Sequence, residues 1–367
     1  MSNFQRDKMT AMKSDKKRDN KVNSELEKIL ESRKADIKVI GAGGSGCNTI
    51  SRMNEIGIIG AEVIAVNTDA QDLLYTDCEN KILLGRDTTK GLGAGADPKL
   101  GEEAAKESKK DIQKIIGKAD MVFVTCGLGG GTGTGALPVI SETAKKAGAL
   151  TVGVVTLPFS MEGTQRESNA KIGLEKLAEI VDTLIVIPND KLLEIVPDVS
   201  LSTAFKVADE ILVNAVKGIT ELVTKPGLVN LDFADVRAVM SNGGLAMIGL
   251  AESDTERRAA EAVEKALNTP LIDIEIEGAT GALINVSGGA DMTIKEAQEI
   301  VQRVNERLDP DAKVIWGAQI DPSLGDTIKA MIIVTGVRSP QIYGPTKTYT
   351  EERRKEIEKV LGIDFVD

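Results

Sequence analysis

From residue 37 to 189 short apolar runs alternate with segments whose apolar residues recur at helical spacing, the pattern of strand-helix-strand units that build a parallel sheet. The runs "IKVIGAG" (37–43), "EVIAVNTD" (62–69), "NKILLG" (80–85), "MVFVTCG" (121–127), "LTVGVVTLP" (150–158) and "TLIVIPN" (183–189) predict strands. Between them "GEEAAKESKKDIQKIIG" (101–117) and "TGALPVISETAKKAG" (134–148) predict the clearest helices. The expected class is α/β, a doubly wound, mostly parallel sheet over 37–201, and ligands of such sheets bind at the carboxyl ends of the strands.

Residues 202–224 keep Val207, Ile211, Leu212, Ala215, Val216, Ile219, Leu222 and Val223 at helical spacing, which predicts one long connecting helix ended by Pro226 within the segment 202–227. Beyond it "ALINVSGG", "KVIWGAQID" and "AMIIVTGV" read as strands and "TIKEAQEIVQRVNERL" as a helix. They predict a smaller α+β domain over 228–338 with antiparallel or mixed pairing. Residues 1–36 are too polar to bury a core and form an extension, in which Ser24 and Glu27 make a capping box for one surface helix. Residues 339–367 form a tail that is charged through "TEERRKEIEKV" and ends in the apolar "GIDFVD".

Composition narrows the chemistry. The chain has 45 basic and 56 acidic residues, and its net charge of −11 disfavours nucleic acid and anionic lipid as partners. It contains no histidine, which excludes imidazole acid/base catalysis, Ser-His and Cys-His nucleophile pairs and imidazole metal sites. Cys47, Cys78 and Cys126 are widely spaced without a CxxC, so neither a disulfide framework nor a structural zinc is expected. No apolar run reaches the roughly 18 residues of a membrane span. The first 35 residues lack the apolar core of a secretion signal, so the expected location is cytoplasmic with no direct membrane insertion.

Three glycine-rich segments carry the candidate chemistry. "GAGGSG" (41–46) follows a strand and precedes a helix, the context in which glycines admit an anion to a helix N-terminus; alone it also fits a dinucleotide fingerprint, with Asp69 placed to bind ribose. "GLGGGTGTG" (127–135) repeats the context with the hydroxyls of Thr132 and Thr134. Neither segment is followed by the Lys-Ser or Lys-Thr of a P-loop, which points to a polyphosphate held by backbone amides and Mg²⁺. "GLGAGADP" (91–98) either closes over the terminal phosphate or simply connects two elements. Cys47 and Cys126 adjoin the two cradles, so thiol alkylation is expected to compete with nucleotide.

Taken together, "GGGTGTG" (129–135), "GAGGSGCNTI", "VNTDAQDL", "GAGADP", "TLPFSMEG", "VIPNDKLL", "AFKVADEIL" and "PGLVNLDFADVRAVM" resemble, in order, the nucleotide and synergy loops of the tubulin/FtsZ family, and within it the archaeal type of FtsZ, over about 37–337. The resemblance implies GTP/GDP and Mg²⁺ as cofactors, with the metal ligands unassigned. It places Gly43, Gly44, Ser45, Gly46, Cys47 and Asn48 in the first phosphate loop, with Asn48 also touching guanine. Asp69 and Ala94 fall in the next two loops, and Gly130, Gly131, Thr132, Gly133, Thr134 and Gly135 over the phosphates. Glu162 and Arg166 match the ribose side and Asn189 falls among the nucleotide-binding residues, while Phe205 stacks on guanine and Asp209 reads its N1 and N2 edge. Ser45 and Cys47 stand where the family usually has glycines, and Asp209 where bacterial members carry Asn.

For hydrolysis the resemblance implies Asp232, Asp235 and Asn230, on a loop that enters the nucleotide site of the next subunit; by spacing alone Asp232 and Asp235 are equally an N-cap and its N3 partner. It further implies a head-to-tail homopolymer, a GTPase active only when assembled, the division ring at mid-cell, and a tail that recruits membrane tethers through "GIDFVD". An NAD-dependent oxidoreductase and a GTP-binding scaffold that does not hydrolyse remain the alternatives.

Overall fold

The computed structural model describes residues 35–195, 201–225, 227–229, 231–268 and 279–337. The helix expected at 24–34, Pro226, Asn230 and the tail lie outside the described residues.

Six strands, β1 (Ile37–Ala42), β2 (Glu62–Asn67), β3 (Asn80–Leu83), β4 (Met121–Gly127), β5 (Leu150–Leu157) and β6 (Thr183–Pro188), form where the apolar runs place them. They pair in parallel in the order β3-β2-β1-β4-β5-β6. Val39, Phe123, Val124, Val152 and Val154 are fully buried, as strands covered on both faces require. The connecting helices are α1 (Gly43–Ile56), α2 (Ala70–Tyr75), α3 (Pro98–Glu107), α4 (Lys109–Ile116), α5 (Thr132–Lys146), α6 (Thr164–Ile180) and α7 (Asn189–Ile195).

The segment 101–117, read as one helix, is divided between α3 and α4 at Ser108. Ser108 is buried and its hydroxyl accepts from the amide of Gly85 at 2.9 Å, a competing bond that a helix interior does not offer.

The long helix forms as α8 (Leu201–Thr224), about 36 Å at 1.5 Å per residue. Leu212, Val213, Ala215, Val216 and Ile219 make its buried stripe. There follow α9 (Phe233–Met240), β7 (Gly244–Ser253), α10 (Arg258–Leu267), β8 (Gly281–Gly288), α11 (Ile294–Asn305), β9 (Lys313–Ile320) and β10 (Ile328–Thr335). Pairing here is mixed, as expected: β10 is antiparallel to β7 and β8, and β8 is parallel to β9.

Strand β7 lies in a stretch with no strand pattern in the sequence. It lies parallel to β6, with Thr183 opposite Gly244, and so joins the parallel strands and the mixed strands into one sheet of ten among the described residues.

Candidate functional site

The carboxyl ends of β1 and β4 lead directly into α1 and α5, and neither helix has a side-chain cap. Their first-turn amides are therefore left as donors, with the positive ends of two helix dipoles behind them. Gly43 opens α1 with φ +72°, a region L side chains avoid. The third glycine segment lies on the second: the amide of Gly131 donates to the carbonyl of Gly95 at 2.9 Å. A Cβ on Gly131 would sit 2.7–2.8 Å from the carbonyl oxygens of Gly95, Ala94 and Asp97. Gly130 differs, because a Cβ there would meet nothing within 4 Å. The fold does not require a glycine at 130, and the small residue leaves room for something outside the chain.

Beside these loops a cavity of about 540 Å³ is lined by Ser45, Asn48, Gly127, Leu128, Thr156, Pro158, Glu162, Arg166, Asn189, Phe205, Lys206, Ala208 and Asp209. Phe205 is 40% exposed and packs edge-to-face on the buried Phe159, with centroids 5.2 Å apart, so a ring is held in position without being covered. Asp209 accepts from the Thr49 hydroxyl at 2.9 Å. Burial pushes its carboxyl up to about 6, against the opposing effects of that hydrogen bond and of Arg52.

Glu162 pairs with Arg166 at 2.7 Å and accepts from the Phe159 amide at 2.9 Å. Their turn is tied to α7 by Asp190, which accepts from both the amide and the hydroxyl of Ser160. Asn189 is 5% exposed and its Oδ1 has no partner in the chain, a buried acceptor that a ligand N–H or O–H would satisfy.

Thus Ser45, Asn48, Glu162, Arg166, Asn189, Phe205 and Asp209 are brought together on one cavity. The structure adds Leu128, Thr156, Pro158 and Lys206, which lie within the quoted motifs but were not assigned a role; Lys206 is the cation that the neighbouring Phe205 and Asp209 could have pointed to. Other expected residues contribute differently. The Thr132 hydroxyl bonds Thr68 at 2.6 Å and the Thr134 hydroxyl accepts from the Gly129 amide at 2.8 Å, so both stiffen the loop from within. Asp69 caps α2 through the amides of Gln71 and Asp72. Gly44, Gly46 and Gly133 belong to the two helix starts, where Gly46 and Gly133 allow backbone contact with Gly41 and Ala42.

Cys47 and Cys126 require a correction. Cys47 turns its thiol inward, toward the Val66 carbonyl and the Asn67 amide, and burial pushes its pKa up to about 12; Cys126 is fully buried and shifted upward for the same reason. Neither thiol faces a ligand, and alkylation is not a probe of this site.

Asp232 and Asp235 form the capping box that spacing alone allowed: Asp232 caps α9 by accepting from the Asp235 amide at 2.8 Å, and the Asp235 carboxylate accepts from the Asp232 amide at 3.3 Å. Helix α9 is anchored at the amino ends of the strands, where Arg237 donates to the carbonyl of Asp120, just before β4, and Thr183, first in β6, donates to that of Met240. The glycine loop leaves β4 at its other end, seven residues away and about 23 Å along the strand. Cradle and acids therefore occupy opposite ends of the sheet.

Among the described residues no group of three or more carboxylates or thiols could hold a metal ion, and no helix is long and apolar enough to cross a membrane.

Comparison with known proteins is consistent along the chain. Residues 36–197 match the profile of the Tubulin/FtsZ family, GTPase domain, and residues 244–338 that of the FtsZ family, C-terminal domain. "Cell division protein FtsZ 1" of Pyrococcus abyssi is 61% identical over 346 residues, 94% of this chain and 91% of that protein. "Cell division protein FtsZ" of Methanothermobacter thermautotrophicus is 56% identical over 353 residues, 94% of this chain and 93% of that protein. Among solved structures, an empty FtsZ dimer of M. jannaschii superposes with a TM-score of 0.82 at 60% identity, over 86% of this chain and 92% of that one. GDP-bound CetZ1 of Haloferax volcanii superposes with a TM-score of 0.74 at 26% identity, over 87% of this chain and 99% of that one.

Proposed function

The chain belongs to the FtsZ family of tubulin-like GTPases, and from that premise we propose that it assembles head to tail, each subunit's GTP being hydrolysed with the acids of the next. The observation that carries this reading is the separation of the two halves of the chemistry. Glycine loops, Phe205, Asp209 and Asn189 lie at the carboxyl ends of the strands, while Asp232 and Asp235 lie at the amino ends. A carboxylate pair kept away from a polyphosphate avoids repelling it while it binds, and arrives only with a second molecule.

In this reading first-turn amides of α1 and α5 hold the phosphates, Glu162 and Arg166 meet the ribose, and Phe205 stacks on the base. The Asp209 carboxylate accepts the two donors on the guanine edge, which adenine does not present, and Asn189 Oδ1 takes a further donor. Asp235 and Asp232 of the neighbour orient and deprotonate the attacking water, with Asn230 beside them.

Mg²⁺ fits as a ligand of the phosphates themselves. The carboxylates about the loops are already engaged, Asp69 and Asp97 as helix caps and Asp72, beside Gly44, as acceptor of the Asn67 amide at 2.6 Å, so the ion would keep phosphate and water oxygens, and when bound it would supply charge neutralisation. A heterologous contact of this kind does not close on itself and makes a filament. The division ring, a location at the division site in keeping with the relatives' name of cell division protein, the tail as a tether docking peptide and the domain limits 37–201, 202–227 and 228–338 belong to the same reading.

Phosphate release per molecule, measured against protein concentration, tests it. Specific activity is expected to rise steeply above a threshold concentration and to be near zero below it. A flat line contradicts shared catalysis.

A further inference from the structure

Asn169 lies in the second turn of α6, one turn beyond Arg166, in a stretch that no motif singled out. It is 6% exposed, and its side-chain amide donates to the carbonyl of Ala96 at 2.9 Å and to that of Gly129 at 3.2 Å. Its Oδ1 accepts from Gln165 Nε2 at 3.2 Å. The two carbonyls fix the orientation of the amide, since the flipped form would set an oxygen against both.

Ala96 belongs to the segment 91–98 and Gly129 to the segment 127–135, so one carboxamide joins two glycine-rich loops that are 33 residues apart in sequence. Main chain also joins them, the Gly131 amide donating to the Gly95 carbonyl and Gly135 packing on that of Pro98.

Segment 91–98 contributes no residue to the cavity that holds Phe205, Asp209, Glu162 and Arg166. It packs on the glycine loop beyond the ribose side, where α5 begins, with the carbonyls of Ala94, Gly95 and Asp97 against Gly131 and that of Pro98 against Gly135. On the reading given above, the part of a nucleotide within reach of 91–98 is therefore the phosphate farthest from the base. We propose that Asn169 is a positioning residue that holds loop 91–98 in register over loop 127–135, and so sets the preference of the free subunit for a triphosphate over a diphosphate.

The inference rests on the guanine-nucleotide reading of the cavity, and the test separates the two. Fluorescently labelled GDP and a labelled, non-hydrolysable GTP analogue are titrated onto the wild-type chain, Asn169→Ala, Asn169→Asp and Gln165→Ala, all diluted below assembly. Loss of both carbonyl bonds is expected to weaken the GTP analogue by about tenfold in Asn169→Ala, with GDP changed by less than about threefold. Asn169→Asp, which sets a carboxylate against the carbonyls of Ala96 and Gly129, is expected to do the same. Gln165→Ala releases only the orienting bond and should shift the ratio in the same direction by less; it decides the matter if the Asn169 variants fail to fold. Equal loss of both nucleotides, or no loss of either, overturns the proposal. Binding of neither nucleotide by the wild type removes the underlying reading, and the proposal with it.

Discussion

Asp209 is ionised at a cost. Its carboxyl titrates near 6 instead of 3.8 because burial withholds water from the charge. In the free protein its contribution to stability is therefore fully present below about pH 3.8 and is lost as pH rises through about 6. A guanine edge with two donors favours the ionised form, so the linkage for binding runs the other way: affinity falls as pH falls. GDP affinity is expected to drop about tenfold between about pH 7 and pH 5, and Asp209→Asn should bind more weakly with that dependence removed, leaving only what the phosphate itself contributes. Isothermal titration across this range measures both; parallel profiles for the two proteins would exclude Asp209 as the base reader. Glu162, Phe205 and Asp209 were legible because each sits in a run of recognisable order. Lys206, Thr156 and Leu128 lie in the same runs but carried no signal of their own, since each is an ordinary residue for the helix, strand or loop that holds it. Cys47 misled for a geometrical reason: adjacency to a glycine says nothing about which way a helix turns the next side chain, and here it turns toward Asn67.

Within the glycine loops, neighbouring positions do different work. A methyl group at Gly131 would press on three carbonyl oxygens of segment 91–98, whereas at Gly130 it meets no atom of the chain. Gly131→Ala is expected to destabilise the fold by about 1–3 kcal/mol, as overpacking does, and Gly130→Ala to stay within about 0.5 kcal/mol while losing nucleotide affinity. Urea unfolding and nucleotide titration on the same two variants check this; unchanged affinity in Gly130→Ala would place the phosphates elsewhere. Strands and long helices could be read from period and length, because β1 to β6 are continuous apolar runs and α8 keeps its stripe for 24 residues. The break at Ser108 could not, because its cause is the Gly85 amide, a partner remote in sequence. Nor could β7, whose residues Gly244–Ser253 show little alternation and find their place only through pairing with β6 and β10.

For the whole molecule the decisive quantity is the length of the sheet between cradle and acids. The prediction that belongs here is Asp235→Asn, which keeps an oxygen for the capping box. Stability should change by no more than about 1 kcal/mol and nucleotide affinity of dilute protein not at all, while turnover in concentrated protein falls about a hundredfold or more. Weaker binding by the dilute variant would put Asp235 in its own subunit's site. In the head-to-tail contact proposed above, the same separation would make the two tips of a filament chemically unlike. One tip presents an uncovered cavity, from which a spent nucleotide can leave and a fresh one enter; the other presents only a pair of carboxylates on a capped helix. In the head-to-tail filament proposed above, every nucleotide in between would be roofed by a neighbour, so renewal of the fuel would be confined to a single end, and the filament would have a direction before anything else in the cell gave it one.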